Sequence, residues 1–150
     1  MDTRPKVSLS ACRSYAAAEV EFALHQSLEN LGGLSRFVKP GQKVLLKVNA
    51  VIGKEPNSAV CTHPAIVSAL VKEVIAAGAT ALVGDSPGNV FGNVAAVMEE
   101  SGISQAAEEA GASMLLFEDG RIAEFGSPSD NRRVKKIRLA KSALEADVII

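Results

Sequence analysis

Three short polar segments hold the side chains of this chain that could bind a ligand or move a proton. They are residues 47–49, residues 62–64 and residues 84–88. An ammonium group can neutralise an anion, an imidazole titrates near neutral pH, and a carboxylate can accept a proton or orient a cation. We therefore expect an anionic small molecule or cofactor to bind where the three segments meet.

Each candidate residue has a role in this hypothesis. Asp85 and His63 are the candidate catalytic residues, because both can exchange a proton. Lys47 is the counter-charge for the anion, and the helix start at residues 62–63 would supply backbone N–H groups. The remaining expected contacts to the ligand are Asn49, Thr62, Ser86 and Gly88.

The same residues also have simpler structural interpretations. Residues 84–88 have the composition of an ordinary turn, which is as compatible with the sequence as a ligand site. His63 could be a helix-start residue whose ring packs locally, and its spacing alone favours that interpretation. Lys47 could be a solvated lysine at a strand end. The spacing leaves these alternatives open.

Two predicted strands and one predicted helix position the three segments. Residues 43–48 and 80–84 are aliphatic runs bounded by turn residues, as buried strands are. A helix starts at residues 62–64, where the Thr62 hydroxyl could cap it and a proline follows in the first turn. Ligands of open parallel sheets bind beyond the carboxyl ends of the strands, so the three segments should meet at one edge.

The elements on either side complete the predicted fold. Strands are expected at residues 6–10, 112–117, 133–139 and 146–150, and residues 121–125 return as a hairpin after a turn at 118–120. Helices are expected from residue 15 to residue 31 and at residues 94–100, 103–110 and 141–145. Alternating strands and helices predict one α/β domain over residues 1–150: a three-layer α/β/α, mostly parallel, doubly wound sheet with a small β-hairpin.

Composition narrows the class of protein. The chain has 150 residues, of which 47% are hydrophobic, and a net charge of −1, which favours neither nucleic acid nor a membrane surface as a partner. Cys12 and Cys61 lie far apart and have no metal-ligand spacing, which fits a reducing cytoplasm and predicts no cofactor cluster within this chain. No apolar run approaches the roughly 20 residues that cross a bilayer.

Charge is concentrated near the carboxyl end. Six basic residues lie between positions 132 and 141, namely Arg132, Arg133, Lys135, Lys136, Arg138 and Lys141. They could form a solvated edge strand, which discourages aggregation, or a contact surface for an acidic partner. The chain also stops within a predicted buried strand. We therefore expect an N-terminal fragment of a longer protein, whose bare sheet edge could self-associate.

The order of several motifs resembles a known family. Residues 31–34, residues 38–49, the Thr62-His63-Pro64 helix start, residues 83–88 and residues 144–150 together look like the N-terminal part of domain of unknown function 362. One departure is Val48, where the family usually has proline between the lysine and the asparagine. The family's recurring polar positions fall on Lys47, Asn49, Thr62, His63, Asp85 and Ser86.

This resemblance implies a context more than a reaction. Members often carry ferredoxin-type iron–sulfur modules elsewhere in the chain, so a 4Fe–4S cluster could belong to the full-length protein. The main hypothesis is binding of an anionic small molecule at the strand ends in a redox context. The alternative is a non-catalytic docking module, in which the basic segment contacts an iron–sulfur domain, a ferredoxin or another acidic partner.

Overall fold

The computed structural model describes residues 4–86, 93–117, 121–126 and 135–150. Several predictions fall on the remaining residues and lie outside this description. They concern Gly88, the turn at residues 118–120, and Arg132 and Arg133 of the basic segment.

Six strands form two separate sheets within the described residues. The strands are β1 (Lys43–Lys47), β2 (Thr80–Gly84), β3 (Ser113–Met114), β4 (Ile122–Gly126), β5 (Lys136–Ala140) and β6 (Val148–Ile149). Four of them form a parallel sheet in the order β3-β2-β1-β6, and β4 pairs with β5 in an antiparallel ribbon. The predicted α/β fold is confirmed: a mainly parallel sheet flanked by helices, with a small antiparallel pair.

The centre of the parallel sheet is made by the two strands that the sequence predicted best. β1 and β2 pair in register from Lys43 opposite Thr80 to Lys47 opposite Gly84. The three central residues of β1 are at most 3% exposed. Runs of aliphatic residues that are buried on both faces are typical of strands inside a parallel sheet. The register brings the carboxyl ends of β1 and β2 side by side.

Helices follow the strands and cover the sheet. They are α1 (Ala17–Asn30), α2 (Pro64–Ala76), α3 (Val94–Glu100), α4 (Ile103–Glu109) and α5 (Lys141–Leu144), with short 3-10 turns at Leu34–Arg36 and Pro56–Ser58. α2 packs against α1, α4, β1 and β2, and α4 also packs against β3. The core between them is aliphatic and includes Val71, Val74, Val83 and Ile103.

Helix α2 shows how burial selects one face. Val67, Ala69, Val71 and Val74 are buried in it, because this face lies on the sheet and the neighbouring helices. Ile66, in the first turn of the same helix, does not belong to this face and is 38% exposed. It borders a groove beside α1 instead.

The antiparallel ribbon corrects the predicted hairpin. Residues 121–125 were expected to return beside the strand at residues 112–117. They form β4, which pairs with β5 from Ile122 opposite Ala140 to Gly126 opposite Lys136. The strand before them is reduced to β3, which pairs with β2. Its edge position leaves only a short parallel ladder.

One further strand prediction is wrong, and one predicted strand is present but less buried than expected. Residues 6–10 alternate polar and apolar side chains as expected, but they belong to no strand within the described residues. A strand requires a partner for its backbone, and none of the described elements supplies one. The last strand, β6, is an edge strand and not a buried one, since Ile149 is 56% exposed.

Candidate functional site

An ion pair joins the carboxyl ends of β1 and β2. Lys47 is the last residue of β1, and Asp85 directly follows the last residue of β2. The Nζ atom of Lys47 lies 2.5 Å from Oδ1 of Asp85. The parallel register makes this contact, because it places Lys47 opposite Gly84. Two of the residues singled out in the sequence are therefore direct neighbours.

Both carboxylate oxygens of Asp85 are engaged. The second oxygen, Oδ2, accepts a hydrogen bond of 2.7 Å from the backbone N–H of Ala50, in the loop that leaves β1. The Asp85 side chain is 8% exposed, whereas the Lys47 side chain is 51% exposed. Lys47 also donates to the carbonyl of Val48. Asp85 therefore fixes the strand end and the ammonium group, and the ammonium group is the part that faces solvent.

Asn49 and Thr62, two further residues expected to contact the ligand, are hydrogen-bonded to each other. The backbone N–H of Asn49 donates to Oγ1 of Thr62, and the N–H of Thr62 donates to the carbonyl of Asn49. The Asn49 side chain donates to the carbonyl of Val60. These contacts close the loop between β1 and α2 at its base. Thr62 therefore braces this loop, and the capping role predicted for its hydroxyl is wrong.

The long loop between β1 and α2 is held by further contacts along its length. Sγ of Cys61 lies 3.3 Å from the carbonyl of Ile52 and 3.4 Å from the N–H of Val51. A Cβ atom placed on Gly53 would overlap the Glu100 carboxylate, so the loop lies directly against α3. Ala59 has a left-handed backbone with a φ of 55°. That conformation costs a residue other than glycine roughly 1–2 kcal/mol.

His63 is the N-cap of α2. Its Nδ1 atom accepts a hydrogen bond of 3.2 Å from the N–H of Ala65. Burial lowers the pKa of His63 from its ordinary value of 6.5, so the ring is mostly neutral at pH 7. With Nδ1 acting as acceptor, the proton of the neutral ring lies on Nε2. His63 can therefore donate a hydrogen bond to a ligand through Nε2.

Tyr15 completes the environment of His63 and was missed in the sequence. Its ring stacks on the His63 ring, with 3.6 Å between the centroids and 6° between the planes. Tyr15 lies 48 positions before His63 and just before α1. The only signal in the sequence is that Tyr15 is the one tyrosine of the chain. Neither residue type nor spacing could indicate the contact.

Most backbone donors at the start of α2 are already engaged. The N–H of Thr62 is bonded to Asn49, and the N–H of Ala65 is bonded to the His63 ring. The N–H groups of Ile66 and Val67 donate to the His63 carbonyl, and Pro64 has no N–H. Of the two expected donors, the N–H of His63 has no acceptor among the described residues, whereas that of Thr62 is occupied.

The order of the strands places a topological switch point beside Lys47. The chain runs from β1 to β2 and β3 on one side, and then returns to place β6 on the other side of β1. In open α/β sheets, ligands bind in a crevice at the carboxyl ends of the two strands where such a reversal occurs. Lys47 ends β1 at this point, and its backbone N–H donates to the carbonyl of Ile150. Lys47 thus lies where such a crevice is expected, and it also contacts Asp85.

The cavities found among the described residues lie away from the ion pair. One of about 370 Å³ lies between residues 10–15, α1 and Ile66, and includes Tyr15 in its wall. Another of about 660 Å³ lies on α3 and α4. Lys47 and Asp85 line neither of them. The candidate site is therefore an open edge of the sheet, and the first cavity lies beside Tyr15, whose ring stacks on His63.

The residues that the structure describes do not fit an iron–sulfur cluster or another metal centre. They contain no group of three or more histidine, cysteine or acidic side chains that could hold a metal ion. The chain has two cysteines, and both are free thiols: Cys12 donates to the carbonyl of Ser14, and Cys61 lies in the loop after β1. Four cysteine thiolates are the usual ligands of a cluster.

Comparisons with known proteins give a family and one curated relative. Residues 44–150 match the family described as domain of unknown function (DUF362). The thylakoid-associated protein sll1697 of Synechocystis is 37% identical to the chain over 144 residues. That match covers 96% of this chain and 43% of the relative, so the chain spans less than half the length of that protein. No solved structure matches the chain significantly.

Two findings bear on the location of the protein. Within the described residues, none of the helices has the length and apolar character needed to cross a membrane. The cytoplasmic location expected from the cysteines stays a prediction, and the relative carries the name of a thylakoid-associated protein. The family match covers well over half of the chain, including the Lys47–Asp85 pair. The chain therefore belongs to the DUF362 family of domains of unknown function.

Proposed function

We propose that this domain binds an anionic small molecule or cofactor at the crevice beside β1, with Lys47 as the charge that holds it. The observation that carries the proposal is the Lys47–Asp85 pair: a buried carboxylate fixes an ammonium group that is half exposed at the carboxyl end of a central parallel strand. A fixed charge loses less conformational entropy on binding than a mobile one. The position also agrees with where open α/β sheets bind ligands.

The remaining candidate residues take supporting roles in this proposal. Asp85 positions Lys47, since both of its oxygens are already hydrogen-bonded or ion-paired. His63 donates through Nε2 and is the group that exchanges a proton. Ser86 is exposed directly after Asp85, where its hydroxyl can contact the ligand. Asn49 and Thr62 hold the loop, and Gly88 remains an expected contact.

A titration with a matched control tests the site. Isothermal titration calorimetry of the chain against phosphorylated and carboxylated metabolites should find at least one ligand. Lys47→Met should weaken its binding about tenfold or more, because the counter-charge is lost. Lys43→Met is the control, since Lys43 is an exposed lysine at the opposite end of the same strand. Equal losses in the two variants, or none in Lys47→Met, would refute the assignment.

Asp85→Asn tests the electrostatics of the same site. The amide oxygen can still accept the Ala50 N–H, but the negative charge beside Lys47 is gone. We expect the affinity for the anion to rise a fewfold at low ionic strength, and the gain to disappear in high salt. An unchanged affinity at low salt would mean that the anion does not contact Lys47.

The redox context is a separate part of the proposal and rests on the family resemblance. It places a 4Fe–4S cluster in a longer protein that contains this domain, outside the residues described here. Anaerobic purification of the full-length Synechocystis relative, followed by analysis of iron and acid-labile sulfide, tests it. Absence of both after reconstitution would remove the iron–sulfur context and leave the anion site unaffected.

A docking function is the second candidate, and the β4–β5 ribbon favours it. Phe125, Ile137 and Leu139 are between 37% and 46% exposed and share one face of this ribbon. Lys136 and Arg138 alternate with them along β5 and lie on the opposite face. A contiguous exposed apolar face is typical of interaction surfaces.

Salt dependence distinguishes docking from ligand binding. An acidic ferredoxin should bind the chain at low salt and dissociate at high salt. Arg138→Gln combined with Lys141→Gln should weaken the complex, whereas Lys39→Gln, in the turn before β1, should not. If the chain does not bind ferredoxin even at low salt, docking to this class of partner is excluded.

A further inference from the structure

In the segment of residues 6–10, apolar side chains are exposed and serine side chains are partly buried, which is the reverse of an ordinary surface strand. Val7 is 83% exposed and Leu9 is 90% exposed, whereas Ser8 and Ser10 between and after them are half-buried. The Ser8 hydroxyl accepts a hydrogen bond from the side chain of Asn30, at the end of α1. Exposure that alternates with a period of two indicates an extended backbone. Ser8 and Ser10 face the domain, whereas Val7 and Leu9 face away from it.

The backbone of this segment also lacks partners. Within the described residues, none of the backbone N–H and C=O groups from Pro5 to Arg13 forms a hydrogen bond. By contrast, the strand β1 is paired on both sides, with β2 and β6. An extended segment with unpaired donors and acceptors is a template for another strand. The surface that would cover Val7 and Leu9 must therefore provide both apolar side chains and a strand edge.

We infer that residues 6–10 form an edge strand that pairs with a further part of the longer family protein, on a surface outside the matched region. The relative is more than twice as long as the stretch that matches this chain. The match covers 144 of the 150 residues, so one continuous match must include Val7 and Leu9. The occupant is a β-strand edge flanked by apolar side chains, supplied by the unmatched part of that protein. The anion site plays no part in this inference.

Burial explains why such pairing would be stable. Covering Val7 and Leu9 removes two large apolar side chains from water, which stabilises the contact. The strand pairing itself satisfies backbone groups that are otherwise left to solvent. The contact of Ser8 with Asn30 keeps the segment against α1, so less entropy is lost when the partner strand binds.

Amide hydrogen exchange tests the inference on two intact proteins. In this chain, the amides of Val7, Ser8, Leu9 and Ser10 should exchange within about fivefold of the unstructured rate, while those of Leu45 and Leu46 in β1 are strongly protected. In the full-length Synechocystis relative, the amides aligned with residues 7–10 should be at least 100-fold slower than in this chain. Chemical cross-linking of the relative should connect that segment to the unmatched part.

Each other result overturns the inference. Equally fast exchange in both proteins means that the segment has no partner strand in the longer protein. Protection in this chain that appears only at high protein concentration means that a second copy is the occupant. Protection in this chain at every concentration means that the segment is already paired within the domain. Cross-links confined to the matched region would place the partner strand within the domain as well.

Discussion

The two central strands of the parallel sheet and the two strands of the ribbon have the same length but reach opposite degrees of burial. The central strands β1 and β2 and the ribbon strands β4 and β5 have five residues each. Leu46 in β1 is 3% exposed, whereas Leu139 in β5 is 43% exposed. The difference comes from what packs on them, because α2 covers the parallel strands while the apolar face of the ribbon stays partly open. β-propensity alone does not separate a core strand from a surface strand.

The largest expected difference between the two sheets comes from one substitution made in both. Leu46→Ala should lower the free energy of unfolding by about 3 kcal/mol, because it leaves a cavity in a packed core. Leu139→Ala should lower it by less than about 1 kcal/mol, since that side chain is already partly in water. Urea denaturation followed by circular dichroism measures both values. Similar losses would mean that the ribbon face is buried in solution.

A pair of glycines at the ends of two strands sharpens the comparison. A Cβ atom added to Gly84, at the end of β2, would lie 2.5 Å from the carbonyl oxygen of Leu115, whereas no atom of the described residues lies within 4 Å of the same position on Gly126 at the end of β4. Gly84→Ala should therefore cost about 2 kcal/mol through overpacking. Gly126→Ala should be neutral or slightly stabilising. Thermal unfolding of both variants tests this difference in stability. A Gly84→Ala variant as stable as the unchanged chain would contradict the prediction.

Each sheet also carries one lysine–carboxylate pair. Asp85→Ala should cost about 1–2 kcal/mol, because it leaves the Ala50 N–H without its acceptor in a buried position. Glu124→Ala, which breaks the exposed pair with Lys136, should change stability by less than about 0.5 kcal/mol. Denaturation in low and high salt separates the two, since only the exposed pair should be screened. A negligible effect of Asp85→Ala would contradict its bracing role.

The smallest expected effect is a pH dependence of stability that comes from His63, at the start of the helix that packs on the parallel sheet. The folded protein lowers the pKa of His63 below 6.5, so the unfolded chain binds more protons as the pH falls through that value. The contribution of neutral His63 to stability should therefore be fully present above pH 6.5 and decrease as the pH falls through the lowered pKa of the folded state. His63→Asn keeps an N-cap acceptor but does not titrate, so it should lose part of this decrease. Identical pH profiles of stability for the two proteins would exclude His63 as its source.

The sequence predicted the parts of the fold that local patterns determine. The aliphatic residues of β1 and β2 are mostly buried, and the predicted bounds of both strands are correct to within one residue. The approach of Lys47 to Asp85 was predictable too, because parallel strands bring their carboxyl ends together.

Contacts between distant parts of the chain were not predictable. The acceptor for the Ala50 N–H and the ring that stacks on His63 come from residues 35 and 48 positions away. Residues 6–10 show the same limit, because a correct alternation specifies an extended backbone but not the strand that pairs with it.

The stacking of Tyr15 on His63 has a consequence for spectroscopy. The chain has one tyrosine and no tryptophan, so its intrinsic fluorescence comes almost entirely from the phenol ring that lies on the imidazole. Emission from this protein therefore reports on one defined contact beside the candidate site. A ligand that displaces the imidazole, or a proton that charges it, should change the emitted light without any added dye.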